Sequence, residues 1–218
     1  MTLAGSRTAL VCALPFASCY VYAPSAAGKA SERSRSFCAL LKAGEAALLA
    51  KCAARVREES CAGGPFAGFF RCTSILVPVP GSAPESRGSP WAAARVAEAL
   101  ARAGLGAGVR RALARTSAVR RSATAPAGAR PTIAQHYESM AWVPGVEAPD
   151  DVVLVDDVVT KGRTFLAAAN RVRASLPHAR VRGFALLRTM GFSAGIERLL
   201  DPCVGEIRLR GGEAHRNP

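Results

Sequence analysis

The stretch Val153-Leu154-Val155-Asp156-Asp157-Val158-Val159-Thr160-Lys161-Gly162-Arg163-Thr164 decides the fold of this 218-residue chain. The continuous apolar run of residues 152–155 predicts a strand that is buried on both faces, as strands of parallel sheets are. Two carboxylates end this strand, and a short turn leads into residues 165–176, whose apolar spacing predicts a helix. A strand, a turn and a helix in this order are typical of a βαβ unit, so we predict an α/β fold with a parallel sheet.

The segments outward from this stretch predict the remaining layers. Residues 75–80 predict a short buried strand that stops at proline, and residues 91–103 predict a helix. Strands are also predicted over residues 109–113, 181–187 and 204–209. Residues 36–59 have a helical pattern that Gly44 divides, residues 1–30 predict irregular structure with one short strand, and the polar stretch 116–135 is typical of a lid or binding loop.

No internal repeat and no sharp boundary divides the chain. We therefore expect residues 1–70 to form an N-terminal extension or hood of the same unit, and residues 71–218 to form the main domain. Half of the residues are apolar, which excludes a wholly disordered chain. No apolar run reaches 18 residues, so we expect no membrane-spanning helix.

The charge balance is strongly basic. The 29 basic and 16 acidic residues give a net charge of +13, and no acidic residue occurs in residues 99–137. This balance favours an anionic partner such as nucleic acid, a phosphorylated metabolite or a membrane surface. A genome that favours arginine codons explains the total charge equally well.

The seven cysteines predict a cytoplasmic protein. Their number is odd, and no two have the two-residue spacing of a zinc knuckle. Scattered thiols fit a reducing compartment better than a secreted disulfide framework. The alternative of a cleaved signal peptide is disfavoured because Pro15 and Tyr20 interrupt the N-terminal apolar stretch.

The turn after the two acids has the chemistry of an anion site. Backbone N–H groups of such a turn point at a ligand together with the helix N-terminus. Gly162 permits positive φ or close backbone approach, Thr160 and Thr164 add hydroxyl donors, and Thr164 is a candidate helix cap. Ionised carboxylates only accept hydrogen bonds, so Asp156 and Asp157 suit the vicinal hydroxyls of a sugar phosphate, or Mg²⁺ held through water. The competing interpretation is a surface acid followed by a turn cap.

This segment resembles the 5-phosphoribosyl 1-pyrophosphate (PRPP) motif of the type I phosphoribosyltransferases. That motif is a hydrophobic strand, two acids, two small or apolar residues and Thr-Thr-Gly-x-Thr, and Lys161 stands where the second Thr is usual. Leu76-Val77-Pro78-Val79-Pro80, followed by Arg87-Gly88 and a helix from Trp91, is similar to the ComF-like branch, here without its N-terminal zinc module. The resemblance covers residues 74–189 and implies a Rossmann-like parallel-sheet core flanked by helices, with a small N-terminal hood.

The resemblance also implies roles for individual residues. As catalytic residues, Asp156 and Asp157 would hold the ribose hydroxyls, directly or through Mg²⁺, and Arg115 would contact the leaving group. The 5-phosphate would be bound by the turn, whose residues are Val158, Val159, Thr160, Lys161, Gly162, Arg163 and Thr164. The pyrophosphate and mobile loops would contribute Pro80, Gly81, Ser82, Arg87, Arg120 and Arg121.

These roles imply a Mg²⁺-dependent phosphoribosyltransferase that transfers the group from PRPP to an unidentified nitrogen acceptor and releases pyrophosphate. A homodimer is an expected assembly. The alternative is a non-catalytic PRPP sensor or a nucleic-acid-associated protein. A nucleotide-dependent kinase is a third interpretation, disfavoured because no Gly-x-x-x-x-Gly-Lys-[Ser/Thr] run occurs. His136, in the polar-aromatic string 131–139, is either a general base or a structural residue.

Overall fold

The computed structural model describes residues 10–85, 91–120, 130–143, 149–190 and 195–218. Five helices and nine strands lie in these ranges. The helices are α1 (Lys29–Ala43), α2 (Ala46–Glu59), α3 (Ala92–Arg102), α4 (Ile133–Glu138) and α5 (Arg163–Ser175). The strands are β1 (Ala13–Tyr22), β2 (Ile75–Pro78), β3 (Gly108–Val109), β4 (Leu113–Arg115), β5 (Met140–Trp142), β6 (Asp151–Val159), β7 (Arg180–Thr189), β8 (Leu200–Arg210) and β9 (Glu213–Asn217).

A seven-stranded sheet in the order β3-β2-β6-β7-β1-β8-β9 forms the centre of the molecule. The first five strands of this order run parallel, while β8 and β9 are antiparallel to their neighbours. A separate antiparallel pair, β4 and β5, lies outside the sheet. The predicted α/β class with a mostly parallel sheet flanked by helices is therefore confirmed.

The strand that carries the two acids is buried on both faces, as its sequence predicts. Val153 and Val155 belong to the core cluster that includes residues of α1, α2 and α3. Val152 and Leu154 belong to a second cluster with α5 and the β4–β5 pair. All four side chains are fully buried. Helices on both faces of the sheet leave its carboxyl edge as the place where loops meet, and this is where open α/β sheets bind ligands.

The N-terminal segment differs from its prediction. Where irregular structure with one short strand is expected, β1 is a ten-residue strand between β7 and β8 in the sheet. Its side chains are buried on both faces of the sheet, Leu14 and Phe16 in the cluster with α5, and Ala17 and Cys19 in the cluster with α1, α2 and α3. Pro15, Ser18 and Tyr20 interrupt the apolar pattern of this strand, so its predicted length was too short.

Several shorter elements also differ. The single strand predicted over residues 109–113 is two short strands, β3 and β4, and the predicted 116–135 loop ends in α4. Strand β9 was not predicted. The division of the long helical pattern at Gly44 is confirmed, since this residue ends α1 with a φ of +78°. Within the described ranges, no helix is long and apolar enough to cross a membrane.

Candidate functional site

The two acids lie at the carboxyl end of β6, in the middle of the parallel part of the sheet. The strand extends beyond its predicted end at residue 156, because β7 pairs with Asp156 through Ala185 and with Val158 through Leu187. Asp156 and Asp157 are half-buried, and the Asp157 N–H donates to Oδ1 of Asp156 over 2.9 Å. Burial, and then the charge of Asp157, raise the pKa of Asp156. Among the described residues neither carboxylate forms an ion pair, so the pair would gain from a cation or from hydroxyl donors.

The strand-end loop (residues 158–164) turns directly into α5. Gly162 has a φ of +91° and occupies the N-cap position, which is the positive φ expected from the sequence. The prediction that Thr164 caps the helix was wrong, because the helix begins at Arg163 and Thr164 lies in its first turn. A Cβ on Gly162 would lie 2.7 Å from two side-chain carbons of Ile207. The loop therefore needs glycine both for its conformation and for its close packing on β8.

The strand-end loop encloses a small open cavity of about 40 Å³, lined by Arg130 and by residues 158–165. Thr160 and Thr164 are half-buried beside it, whereas Lys161 is exposed. The cavity is at a helix N-terminus, where unpaired N–H groups and the helix dipole favour an anion. The geometry is therefore suited to a phosphate-sized group.

The Arg163 side chain is engaged by other parts of the protein. Its Nε donates to Oε2 of Glu213 over 2.9 Å, its Nη2 pairs with the same oxygen, and its Nη1 donates to the Pro131 carbonyl over 3.3 Å. Its guanidinium thus holds β9 and the start of α4. Sequence reasoning missed Glu213 because the two residues are far apart in the chain.

The predicted pyrophosphate loop lies beside the acids. We call residues 80–82 the proline turn. It follows Val79, whose N–H donates to the Val155 carbonyl over 2.8 Å, so the turn begins next to the residue that precedes Asp156. Pro80 is buried, Gly81 is exposed and Ser82 is half-buried. The Val119 N–H donates to the Ser82 carbonyl over 2.7 Å and brings residues 116–120 to the same edge.

Arg115 is buried under the proline turn, with 5% of its surface exposed. Its Nε donates to the Gly81 carbonyl (2.8 Å), its Nη1 to Ser139 Oγ (2.6 Å) and to the His136 carbonyl (3.2 Å), and its Nη2 to the Pro80 carbonyl (3.4 Å). Burial lowers its pKa to about 10, although the charge of Asp156 opposes this shift. Most of its donors are therefore occupied by the protein in the absence of ligand.

The other predicted arginines are distributed unevenly. Arg120 is exposed, immediately after the segment bound to the proline turn. Arg87 and Arg121 lie outside the described residues. The acids, the strand-end loop, the proline turn, Arg115 and Arg120 are thus the predicted site residues that share one edge of the sheet.

His136 lies in α4, which begins with a capping box formed by Thr132 and Gln135. His136 is 4% exposed, and neither ring nitrogen has a hydrogen-bond partner among the described residues. Burial, and then the charges of Arg115 and Arg163, lower its pKa to about 4. At neutral pH this imidazole is uncharged and a weak base, which favours the structural interpretation over the general base.

Part of the N-terminal seventy residues also lies near the acids, a relation that sequence reasoning did not find. The charge of Lys42, in the last turn of α1, acts on Asp156 against the larger effects that raise its pKa. Cys38, one turn earlier, is buried; burial raises its pKa, and the charge of Asp157 adds to the shift. The end of α1 therefore lies close enough to the two acids to act on them electrostatically.

The two carboxylates fit Mg²⁺ by the chemistry of their oxygens, since this ion is usually held by one or two carboxylates and several waters. The described residues contain no group of three or more His, Cys, Asp or Glu side chains that could form a complete protein cage. A site of this kind would depend on water and on the ligand for its remaining oxygens.

The chain matches no protein-family model and no curated protein sequence. What can be said of its function therefore rests on the residues and their arrangement.

Proposed function

We propose that this protein is a Mg²⁺-dependent phosphoribosyltransferase of type I, in which PRPP binds along the carboxyl edge of the sheet. The observation that carries the proposal is the meeting of three features at that edge. These are the acid pair Asp156 and Asp157, the strand-end loop at the N-terminus of α5, and the proline turn that starts beside β6. A sugar bearing phosphate groups at both ends needs these three features in this order.

Each feature would bind one part of the substrate. The strand-end loop would take the 5-phosphate, because its N–H groups and the helix dipole attract an anion without a buried counter-charge. Asp156 and Asp157 would accept hydrogen bonds from the two ribose hydroxyls. The proline turn, with Gly81 exposed, would offer backbone N–H groups to the pyrophosphate.

Transfer would form a bond between the acceptor nitrogen and the anomeric carbon while the bond from that carbon to the pyrophosphate oxygen breaks. Pyrophosphate leaves with the bonding electron pair, and the acceptor nitrogen gives its proton to solvent. Positive charge develops on the ribose ring, so the nearby carboxylates Asp156 and Asp157 would stabilise it electrostatically. Arg120, exposed at the same edge, would contact the pyrophosphate bidentately.

Asp156 and Asp157 would hold Mg²⁺ through water, and the bound ion would supply positive charge to the leaving pyrophosphate. Holding Mg²⁺ also accounts for two half-buried carboxylates that lack an ion-pair partner among the described residues.

Calorimetric titration of PRPP with and without Mg²⁺ tests the proposal, in wild type and in the double variant Asp156→Asn/Asp157→Asn. Asp150→Asn serves as a control, since this exposed acid directly precedes β6, at the end of the strand opposite the acid pair. We expect saturable, Mg²⁺-dependent binding in wild type and in the control but not in the double variant. No binding at millimolar PRPP would refute the proposal. If PRPP binds, a screen of nitrogen acceptors scored by pyrophosphate release tests transfer.

A second candidate is a PRPP sensor or nucleic-acid-associated protein without transfer chemistry. Its support is that Arg115 and Arg163 are already engaged by protein groups, together with the net charge of +13. It predicts PRPP binding without pyrophosphate release for any acceptor. Binding to nucleic acid would weaken steeply with salt, because phosphate contacts release counterions.

A further inference from the structure

The β8–β9 hairpin contacts the strand-end loop at three successive points. Nη1 of Arg216 donates to the Val159 carbonyl over 3.1 Å, at the start of the loop. Ile207 fills the space over Gly162, in its middle. Glu213 binds Arg163, at its end. The hairpin thus holds the loop at Val159, Gly162 and Arg163, on both sides of Thr160 and Lys161.

The contacts of Arg216 extend this support to the next strand. Its Nη2 donates to the Thr189 carbonyl, at the end of β7, and its guanidinium lies 5.9 Å from the centre of the Phe16 ring in β1. Arg216 therefore ties the last strand of the chain to the carboxyl ends of β6 and β7. Such an arrangement fixes the backbone N–H groups of the loop before any ligand arrives.

The two cationic side chains of the strand-end loop, Arg163 and Lys161, differ in their surroundings. Arg163 uses its Nε and both terminal nitrogens on Glu213 and Pro131, and its side chain is only 16% exposed. Lys161 is exposed and, within the described residues, forms no ion pair. An ammonium group on a flexible stem can reach a phosphate at the helix N-terminus without giving up an existing partner.

We infer that Glu213 and Arg216 are positioning residues that preset the strand-end loop, and that Lys161, not Arg163, is the side-chain cation of this loop that binds the 5-phosphate. The inference rests on the proposed function, and it states which residues of that site bind the phosphate and which hold the loop in position. It gives the hairpin a role in phosphate binding although none of its residues lies in the loop.

The binding test uses ribose 5-phosphate and Mg²⁺-pyrophosphate as separate probes, measured by calorimetry. Lys161→Met should weaken ribose 5-phosphate about ten- to hundredfold, the effect of a charge-assisted hydrogen bond, whereas the exposed Lys51→Met should not. Glu213→Gln should weaken it about three- to tenfold, whereas Glu206→Gln should not. Glu206 is the matched control because it lies on the same hairpin and pairs with Arg208.

The pyrophosphate probe separates positioning from a general loss of structure. Glu213→Gln should leave the affinity for Mg²⁺-pyrophosphate within about twofold of wild type, because among the described residues the hydrogen bonds of the proline turn go to Arg115 and Val119 and none goes to the hairpin. The variant should also fold, since Glu213 is partly exposed and ion pairs that solvent reaches contribute little to stability. Tighter binding of ribose 5-phosphate by Glu213→Gln would overturn the inference, because Arg163 would then be the ligand cation that Glu213 holds back.

Amide hydrogen exchange tests the presetting independently of any ligand. Glu213→Gln should speed exchange in residues 158–164, and Glu206→Gln should not. Unchanged exchange in the loop would overturn the positioning role. If wild type binds no ribose 5-phosphate, the proposed function and the role of Lys161 fail, while the exchange data still decide the role of the hairpin.

Discussion

Replacing Arg115 by Met should destabilise the protein even when no ligand is present. Methionine keeps an apolar stem of similar length but removes every donor that now serves the proline turn and α4. Arg115 donates four hydrogen bonds to protein groups. Water can replace the bond to the Gly81 carbonyl, because Gly81 is exposed, and the bond to the Pro80 carbonyl is long at 3.4 Å. The loss of buried donors to Ser139 and to the His136 carbonyl then decides the outcome.

Each of these two buried groups costs about 1–2 kcal/mol when it loses a charged donor, so we expect a loss of about 2–4 kcal/mol in the free energy of unfolding. For a chain of this size that is a decrease of roughly 5–15 °C in Tm. Urea denaturation followed by circular dichroism measures the loss, and Arg110→Met, at an exposed position, is the matched control. A loss below about 1 kcal/mol would refute the argument that Arg115 holds the proline turn in place.

Three further outcomes follow from the same geometry. The stability of wild type relative to His136→Gln should fall by about 3 kcal/mol as pH decreases from 6.5 to about 4, because in this window only the unfolded chain takes up the proton. Urea titrations at several pH values measure this difference. The same dependence of unfolding free energy on pH in both proteins would contradict it. Gly162→Ala should lower the free energy of unfolding by about 2–4 kcal/mol, because alanine is strained at positive φ and its Cβ would contact Ile207. Gly63→Ala, at φ +83° with open space around it, should cost only about 1–2 kcal/mol. Equal losses in urea denaturation would argue against the contact with Ile207. Asp156→Asn should stabilise the ligand-free protein by about 0.5–2 kcal/mol, because it removes one of two adjacent half-buried carboxylates, and it should abolish PRPP binding in calorimetry. Lower thermal stability of the free protein would contradict the first part.

The features that could be predicted from the sequence are those that depend on residues adjacent in the chain. The apolar run before Asp156 is long enough to indicate a strand buried on both faces. The glycine at residue 162 indicates a turn with positive φ, which the structure has at +91°. Fold class and the place of the candidate site follow from these local signals.

The features that could not be predicted depend on contacts between distant segments. Glu213 is an ordinary surface acid in the sequence, and only the folded hairpin brings it to Arg163. In the same way, Arg115 belongs to an arginine-rich stretch, and nothing local distinguishes it from Arg120 before β4 pairs with β5 and buries it. Charge patterns therefore predicted a basic loop but not which arginine would be buried.

The place of β1 in the sheet has a consequence for synthesis. Residue Phe16 pairs with Gly183 in β7 and with Gly205 in β8, so both neighbours of this strand are made near the end of translation. At about 5–20 residues per second, the strand waits roughly 8–30 s as an apolar segment with unpaired backbone groups on both sides. The ribosome-bound chain therefore passes through a period in which the strand that later joins the parallel strands to β8 and β9 has neither of its partners.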